Sequence, residues 1–137
     1  MGVKALTIRQ PWASLIMAGA KDVENRTWKV QTPVTVLVHA GKVVERDEET
    51  RAYVAARATW PERMSRGALL GAMRIVECTE TSESPWAIAG SWHWCIGAVV
   101  PFEHPVPCLG TQGLWEVPMR LSERVRRVIA SLEATDG

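Results

Sequence analysis

The sequence predicts an α+β domain that is mainly β: a small mixed or antiparallel β-barrel with short helices at its periphery. Five or six short segments have the apolar, β-branched character of strands. The helical segments are few and do not alternate regularly with the strands, which argues against a doubly wound parallel sheet. The 137 residues show no repeat, no linker and no break in composition, so residues 1–137 are expected to form one domain.

The first third of the chain predicts three strands and one helix. Residues 3–8 are apolar and β-branched and predict the first strand. A short helix follows, because Pro11 is a suitable first helical residue, apolar side chains recur at helical spacing, and Gly19 is placed to end it. Residues 22–28 alternate in polarity as a strand does. Residues 34–39 predict another strand, with the valines on one face and threonine, leucine and histidine on the other.

The remainder predicts two further helices around the central strands. Acidic residues at 47–49 indicate the start of a helix, because they stabilise its positive end. Residues 67–79 predict a long buried strand between two loops, and residues 92–100 predict the next strand. Residues 101–107 carry three prolines and predict an extended crossing segment rather than a central strand. A turn, a short strand at 114–117 and a helix at 121–132 with one apolar face complete the chain.

Composition limits the possible functions. The net charge of +1 and the pI of about 7.8 lack the basic excess that is usual for nucleic-acid-binding proteins. Any contact with nucleic acid is therefore expected from a local patch or a base-sized pocket. Seven tryptophans stand against one tyrosine and one phenylalanine. Such flat rings suit a base-binding cleft and equally suit the core of a small barrel.

Several classes of partner find no support in the sequence. No long apolar run occurs, so we expect no signal peptide, no membrane partner and a cytoplasmic location. Three widely spaced cysteines form no C-x-x-C pair and are expected to be reduced thiols. His93 and Cys95 are close enough to share a metal, but no zinc-finger spacing is complete. Without a P-loop or dinucleotide motif, we expect no cofactor and no metal.

Residues 5–28, ALTIRQPWASLIMAGAKDVENRTW, carry the most specific signal. They combine a strand and a short helix with the pattern G-x-K-x-x-E-x-R, which stands as Gly19, Lys21, Glu24 and Arg26. On this segment, together with RGALLGAMRIVEC at 66–78 and PVPCLGTQGLWEVP at 105–118, the chain resembles the ASCH family, as a small bacterial-type single-domain member. The resemblance implies a PUA-like β-barrel with a cleft beside the first helix.

The resemblance also implies binding of RNA or another nucleic acid, or of a modified nucleobase. Some bacterial ASCH proteins are amidohydrolases that remove the acyl group from N4-acylated cytidine, and nuclease activity has been ascribed to others. In the amidohydrolase branch, a lysine and a threonine three residues later contribute to the site, with an acid from a later strand. Lys21 is retained here, whereas Glu24 stands at the threonine position, and Glu77 is the candidate acid. The sequence leaves open whether the protein is an enzyme.

The physical chemistry of this segment fits base recognition. In an extended strand, Glu24, Arg26 and Trp28 project to one face. Glu24 can accept from an exocyclic amino group, Arg26 can donate to phosphate or a base edge, and Trp28 can stack. The alternative is an exposed ion pair worth about 0–1 kcal/mol, with Trp28 capping the barrel. Lys21 is expected at the cleft rim, where Glu24 favours its charged form and hence binding over catalysis.

Trp12, Ser14 and His39 complete the candidate binding residues. Trp12 recurs at helical apolar spacing, so it is either core or a platform for a ligand. The hydroxyl of Ser14 can hydrogen-bond a ligand, but no G-x-S-x-G motif surrounds it. His39 is either a general base or a hydrogen-bonded structural residue. A third class of function, a protein-interaction module, requires an exposed apolar patch that a sequence does not reveal.

Overall fold

The computed structural model describes residues 2–118 and 120–134. Within these residues the helices and strands follow the predicted order closely. They are β1 (Lys4–Gln10), α1 (Trp12–Met17), β2 (Val23–Arg26), β3 (Val34–Val44), α2 (Glu48–Ala55), β4 (Ala68–Thr79), β5 (Trp92–Pro107), β6 (Leu114–Glu116) and α3 (Glu123–Ala134).

The six strands form one mixed sheet in the order β2-β5-β4-β3-β1-β6. β1 runs parallel to β3, and the remaining neighbours are antiparallel. Backbone hydrogen bonds do not close this sheet, because β2 and β6 are its edges. Nevertheless, Arg26 on β2 donates a hydrogen bond to the carbonyl oxygen of Thr7 on β1, and three strands separate β2 from β1 in the sheet. The sheet is therefore curled, which agrees with the predicted barrel-like, mainly β architecture.

Both faces of the curled sheet are covered. Alternate residues of β3 serve the two faces, as predicted: Val36 and Val38 pack in a core that includes α1, and Leu37 packs in a second core with Leu132 of α3. A third cluster joins α1 to α2 through Leu15, Val54 and others. The first helix is therefore held between two cores, and it fixes the position of the chain that follows it.

The strand at residues 92–100 extends further than predicted. The prediction that residues 101–107 are separate from this strand was wrong, because they continue β5, with Pro107 opposite Ala68 and Val106 opposite Leu69. The expectation that they are extended and not part of a central strand is confirmed. Proline is tolerated here because β2 pairs only with the first residues of β5, at Trp92 to Cys95. Along 101–107, β4 is the sole strand neighbour within the described chain, so the missing proline N–H groups break no ladder on the other side.

Local capping explains the ends of the first two helices. The N–H group of Ser14 donates to the side chain of Gln10 at 2.9 Å, which caps the start of α1. Gly19, with a φ of 76°, ends the turn that follows α1, as predicted. Asp47 precedes α2 and accepts from the Thr50 N–H at 2.8 Å, which confirms the acidic start of that helix. Across residues 2–118 and 120–134, no helix has the length and apolar character needed to cross a membrane.

Candidate functional site

A cleft of about 400 Å³ opens between β1 and β2, beside the start of α1. Its size falls within the range of about 300–1,000 Å³ that is typical of small-ligand sites. We call it the β1–β2 cleft. It lies where the curled sheet brings β1 and β2 together without pairing them. The lining residues are Thr7, Ile8, Arg9, Trp12, Glu24, Asn25, Arg26, Thr27 and Trp28.

The carboxylate of Glu24 lies between two cations. Its Oε1 is 3.4 Å from Nζ of Lys21, and its Oε2 is 2.9 Å from both Nε and Nη2 of Arg26. The side chains of Lys21 and Glu24 are only 5% and 8% exposed, whereas Arg26 is 23% exposed. This Lys21–Glu24–Arg26 cluster is therefore a partly buried network, and the alternative of a solvent-exposed ion pair does not hold.

Lys21 lies behind the cleft and not at its rim, so that expectation was wrong. The short turn after Gly19 directs the side chain inward, where Nζ donates to the carbonyl oxygen of Val23 and lies 5.9 Å from the ring centroid of Trp12. Burial lowers the pKa of Lys21 from its ordinary value of 10.5, and the Glu24 carboxylate offsets only part of that effect. Within the described chain, Glu24 lines the β1–β2 cleft and Lys21 does not.

Arg26 is held in place from two sides. Beyond its contacts with Glu24, its Nη2 donates to the Thr7 carbonyl at 3.1 Å. Its Nη1 has no hydrogen-bond partner among residues 2–118 and 120–134 and remains a donor for a ligand. Trp28 lines the same cleft and packs edge-to-face on Trp94, with centroids 4.8 Å apart. Glu24 and Arg26 therefore share one wall, as the strand alternation predicts, and Trp28 lines the cleft from the bend that follows β2.

The two candidates on the first helix differ in position. Trp12 lines the cleft, yet it also packs on Tyr53 and donates from Nε1 to Glu45 at 2.8 Å. Trp12 is thus a partly buried residue that packs in the interior and also lines the cleft, and its role as a platform for a ligand stays a prediction. Ser14 is half-buried on α1 and is not among the described residues that line the cleft.

His39 belongs to a hydrogen-bonded network behind the cleft. Its Nε2 is 2.8 Å from the carbonyl oxygen of Cys108, which can only accept, so Nε2 carries the proton. Its Nδ1 then accepts from the Thr7 hydroxyl at 3.1 Å, and the same hydroxyl oxygen accepts from Nε1 of Trp115 at 3.1 Å. His39 is 3% exposed and both its nitrogens are used, so the geometry matches the structural alternative.

The structure does not bring Glu77 to the cluster. Glu77 is exposed on β4 opposite Cys95, while Cys95 is itself opposite Val23 on β2. Since residues opposite one another share a face, Glu77 lies on the face that carries Val23, and Glu24 projects to the other. A role for Glu77 as a second acid stays a prediction without a contact to support it.

His93 and Cys95 are not arranged as a metal-binding pair. Nε2 of His93 is 2.8 Å from the Ile88 carbonyl, and its Nδ1 accepts from the N–H of Ser82 at 3.1 Å, so its ring does not face Cys95 as a metal partner. Burial raises the pKa of Cys95, and the nearby Glu77 carboxylate raises it further. Within the described residues, no group of three or more His, Cys, Asp or Glu side chains has an arrangement that could hold a metal ion.

The curled mixed sheet and its ligand-sized cleft define a small PUA-like β domain. A model of the ASCH domain matches residues 6–101 of the 137-residue chain, and the chain belongs to the ASCH family. The match includes β1, α1, the G-x-K-x-x-E-x-R segment and the long central strand, so the resemblance found in the sequence is confirmed. No curated protein matches the chain.

Proposed function

We propose that this protein is a nucleic-acid-binding module, with RNA as its partner, that takes one base into the β1–β2 cleft. A free modified nucleobase is the smallest ligand of the same kind. The observation that carries the proposal is the wall on which the Glu24 carboxylate and the Arg26 guanidinium stand side by side, in a cleft that two tryptophans also line. Membership of the ASCH family supports it, because the family resemblance implies RNA binding.

The pair offers a matched acceptor and donor for a base edge. A carboxylate has about four acceptor positions, and Lys21 and Arg26 leave some of those of Glu24 unused. These can accept from the exocyclic amino group of cytosine or adenine, while Nη1 of Arg26 donates to the acceptor next to it. Uracil presents a carbonyl oxygen where cytosine has the amino group, which would face Glu24 unfavourably. The cleft is therefore expected to prefer cytosine or adenine.

The cluster is arranged before any ligand binds. Lys21 and Arg26 hold the two oxygens of Glu24, and the Thr7 carbonyl holds Arg26 in turn. Side chains that are already ordered lose little conformational entropy on binding, so more of the interaction energy appears as affinity. Lys21 serves here as a buried support for Glu24 rather than as a contact for phosphate, because it does not line the cleft.

Stacking and charge supply the remaining affinity. A base that stacks on an aromatic side chain gains about 1–3 kcal/mol, and Trp28 and Trp12 are the rings in reach of this cleft. Because the net charge of the chain is only +1, long-range attraction to a polyanion is weak. We therefore expect affinity to depend on the cleft and to show a shallow salt dependence.

Fluorescence anisotropy tests the proposal. Labelled single-stranded and duplex RNA and DNA are titrated with protein at low and moderate salt, using wild type, Arg26→Gln and a matched control, Arg126→Gln, an exposed arginine on α3. A hydrogen bond to a charged group contributes about 1.5–3 kcal/mol, so Arg26→Gln should raise Kd by about tenfold or more. Arg126→Gln should leave Kd unchanged. Failure of the folded protein to bind any of the four polymers would overturn nucleic-acid binding.

One observation favours a second candidate, an amidohydrolase that acts on N4-acylated cytidine. Burial lowers the pKa of Lys21, which is what a lysine acting as a base or nucleophile requires. The Glu24 carboxylate acts in the opposite direction and offsets part of this effect. Turnover of an N4-acylcytidine that Lys21→Met slows much more than it weakens binding would support this candidate. Recovery of unchanged substrate across a panel of N4-acylcytidines would exclude it.

A further inference from the structure

A second cleft of about 550 Å³ lies directly beside the β1–β2 cleft. The two share part of their lining, since Thr7, Arg9, Arg26 and Trp28 border both. The second cleft is completed by residues 41–43 of β3 and by the loop at 110–113, and we call it the β3–loop cleft. Each cleft alone has the size of a small-ligand site, so the two together offer more room than one base requires.

The two clefts differ in charge. The β1–β2 cleft contains the Glu24 carboxylate, which would repel a phosphate. The β3–loop cleft is lined by three cations, Arg9, Arg26 and Lys42, and no carboxylate lines it within residues 2–118 and 120–134. Arg9 is 64% exposed and makes one surface contact, with Glu45 at 3.3 Å. Lys42 is exposed, and its side chain has no hydrogen bond or ion pair to any described residue. This cleft therefore suits an anionic group.

The loop that forms one wall is fixed against β1. A Cβ atom on Gly110 would overlap the Thr7 hydroxyl and lie 2.6 Å from Nδ1 of His39, so the backbone of the loop rests directly on the buried network. The hydrogen bond from His39 to the Cys108 carbonyl holds the chain just before the loop. The exposed side chain of Gln112 then projects at the cleft with both a donor and an acceptor.

From this arrangement we propose that the ligand is a single-stranded oligonucleotide of at least two nucleotides, and not a single nucleoside. One base occupies the β1–β2 cleft, the phosphodiester that follows it lies against Arg9 and Lys42, and the adjacent nucleotide occupies the β3–loop cleft. Trp28 borders both clefts and stands between the two bases. The inference rests on the proposed function, to which it adds the length and the single-stranded form of the partner.

Calorimetric titration of short ligands tests it. The probes are cytidine, adenosine and the ribodinucleotides CpC and ApA, titrated into wild type, Lys42→Gln and Lys4→Gln. Lys4 is the matched control, because it is also an exposed lysine and lies at the start of β1 in a pair with Glu116. Because a second base would stack, we expect the dinucleotide that binds more tightly to have a Kd about tenfold or more below that of the corresponding nucleoside.

The variants identify the phosphate contact. Lys42→Gln should weaken dinucleotide binding, and the loss should be smaller at moderate than at low salt, because salt screens the contact between an exposed lysine and a phosphate. Lys42→Gln should leave the affinity for nucleosides unchanged. Lys4→Gln should change the affinity for neither nucleosides nor dinucleotides. Equal affinities for nucleoside and dinucleotide, or a dinucleotide Kd insensitive to Lys42→Gln, would overturn the second subsite and leave base binding intact. If no probe binds, the proposed function itself falls.

Discussion

Replacing Glu24 by glutamine removes the charge that joins the Lys21–Glu24–Arg26 cluster while keeping the shape of the side chain. At 3.4 Å, the attraction between Nζ of Lys21 and Oε1 of Glu24 is about 5 kcal/mol for an effective dielectric constant of about 20. Desolvation of two buried charges offsets most of this attraction in the wild type. The variant keeps the desolvation cost of Lys21 and loses its counter-charge. Such losses are about 3–5 kcal/mol, and we expect about 3 because glutamine retains an acceptor oxygen.

The pH dependence follows from the direction of the pKa shift. The pKa of Lys21 lies below its ordinary value of 10.5 in the folded protein, because burial disfavours the charged form. Between the folded pKa and 10.5, the unfolded chain binds more protons than the folded one, so this group makes stability rise with pH. Without Glu24 the folded pKa falls further and the folded variant binds fewer protons. The destabilisation caused by Glu24→Gln should therefore shrink as pH rises toward 10.5.

Urea unfolding followed by tryptophan fluorescence at pH 7 and pH 9.5 measures both effects. Glu116→Gln is the control, because Glu116 pairs with Lys4 at 3.5 Å, almost the distance of the buried pair, but both side chains are exposed. An exposed pair contributes about 0–1 kcal/mol, so this control should change stability little. Equal losses in the two variants, or a loss in Glu24→Gln that does not shrink at the higher pH, would refute the reasoning.

Two further outcomes follow from hydrogen bonds elsewhere. Thr7→Val should lower the free energy of unfolding by about 1–3 kcal/mol, because it leaves Nε1 of Trp115 and Nδ1 of His39 without their shared partner. Thr7→Ser keeps the hydroxyl and should recover most of this loss. Equal losses in the two variants would contradict the role of the Thr7 hydroxyl. Asp47→Ala should lower the thermal stability at neutral pH by removing the cap of α2. Hydrogen bonds from Thr50 lower the pKa of Asp47 below 3.8. The difference in stability between Asp47→Ala and wild type should therefore disappear as pH falls through that lowered pKa. A difference in stability that persists in acid would count against the capping role of the Asp47 carboxylate.

Local sequence signals predicted most of the helices and strands. The acidic start of α2, the alternation of β3 and the apolar face of α3 are properties of neighbouring residues, and each was confirmed. The prolines correctly indicated that residues 101–107 are not part of a central strand, but they do not end β5, because proline excludes only a strand that is paired on both sides. Whether that strand has a second neighbour depends on β2, whose position no local pattern reveals.

Part of the candidate site was also visible in the sequence. The motif pointed to Lys21, Glu24 and Arg26, and strand alternation placed Glu24 and Arg26 on one wall, whereas Trp28 lies in the bend beyond β2. The sequence did not indicate Arg9, Lys42 or the loop at 110–113 as neighbours of that wall. They come from β1, β3 and the segment before β6, which are neighbours in the sheet, and only the curl of the sheet brings them to the wall on β2.

What the sequence by itself determined is the family, the mainly β architecture and the residues of one short segment, since these depend on spacing along the chain. Tertiary structure alone decided that Lys21 is buried and not at a rim, that His39 is fully hydrogen-bonded, and that two clefts of different charge share a wall. The physical reason is that segments distant in the sequence determine how deeply a side chain is buried. Burial in turn sets the pKa of an amine and the partners that a guanidinium can contact.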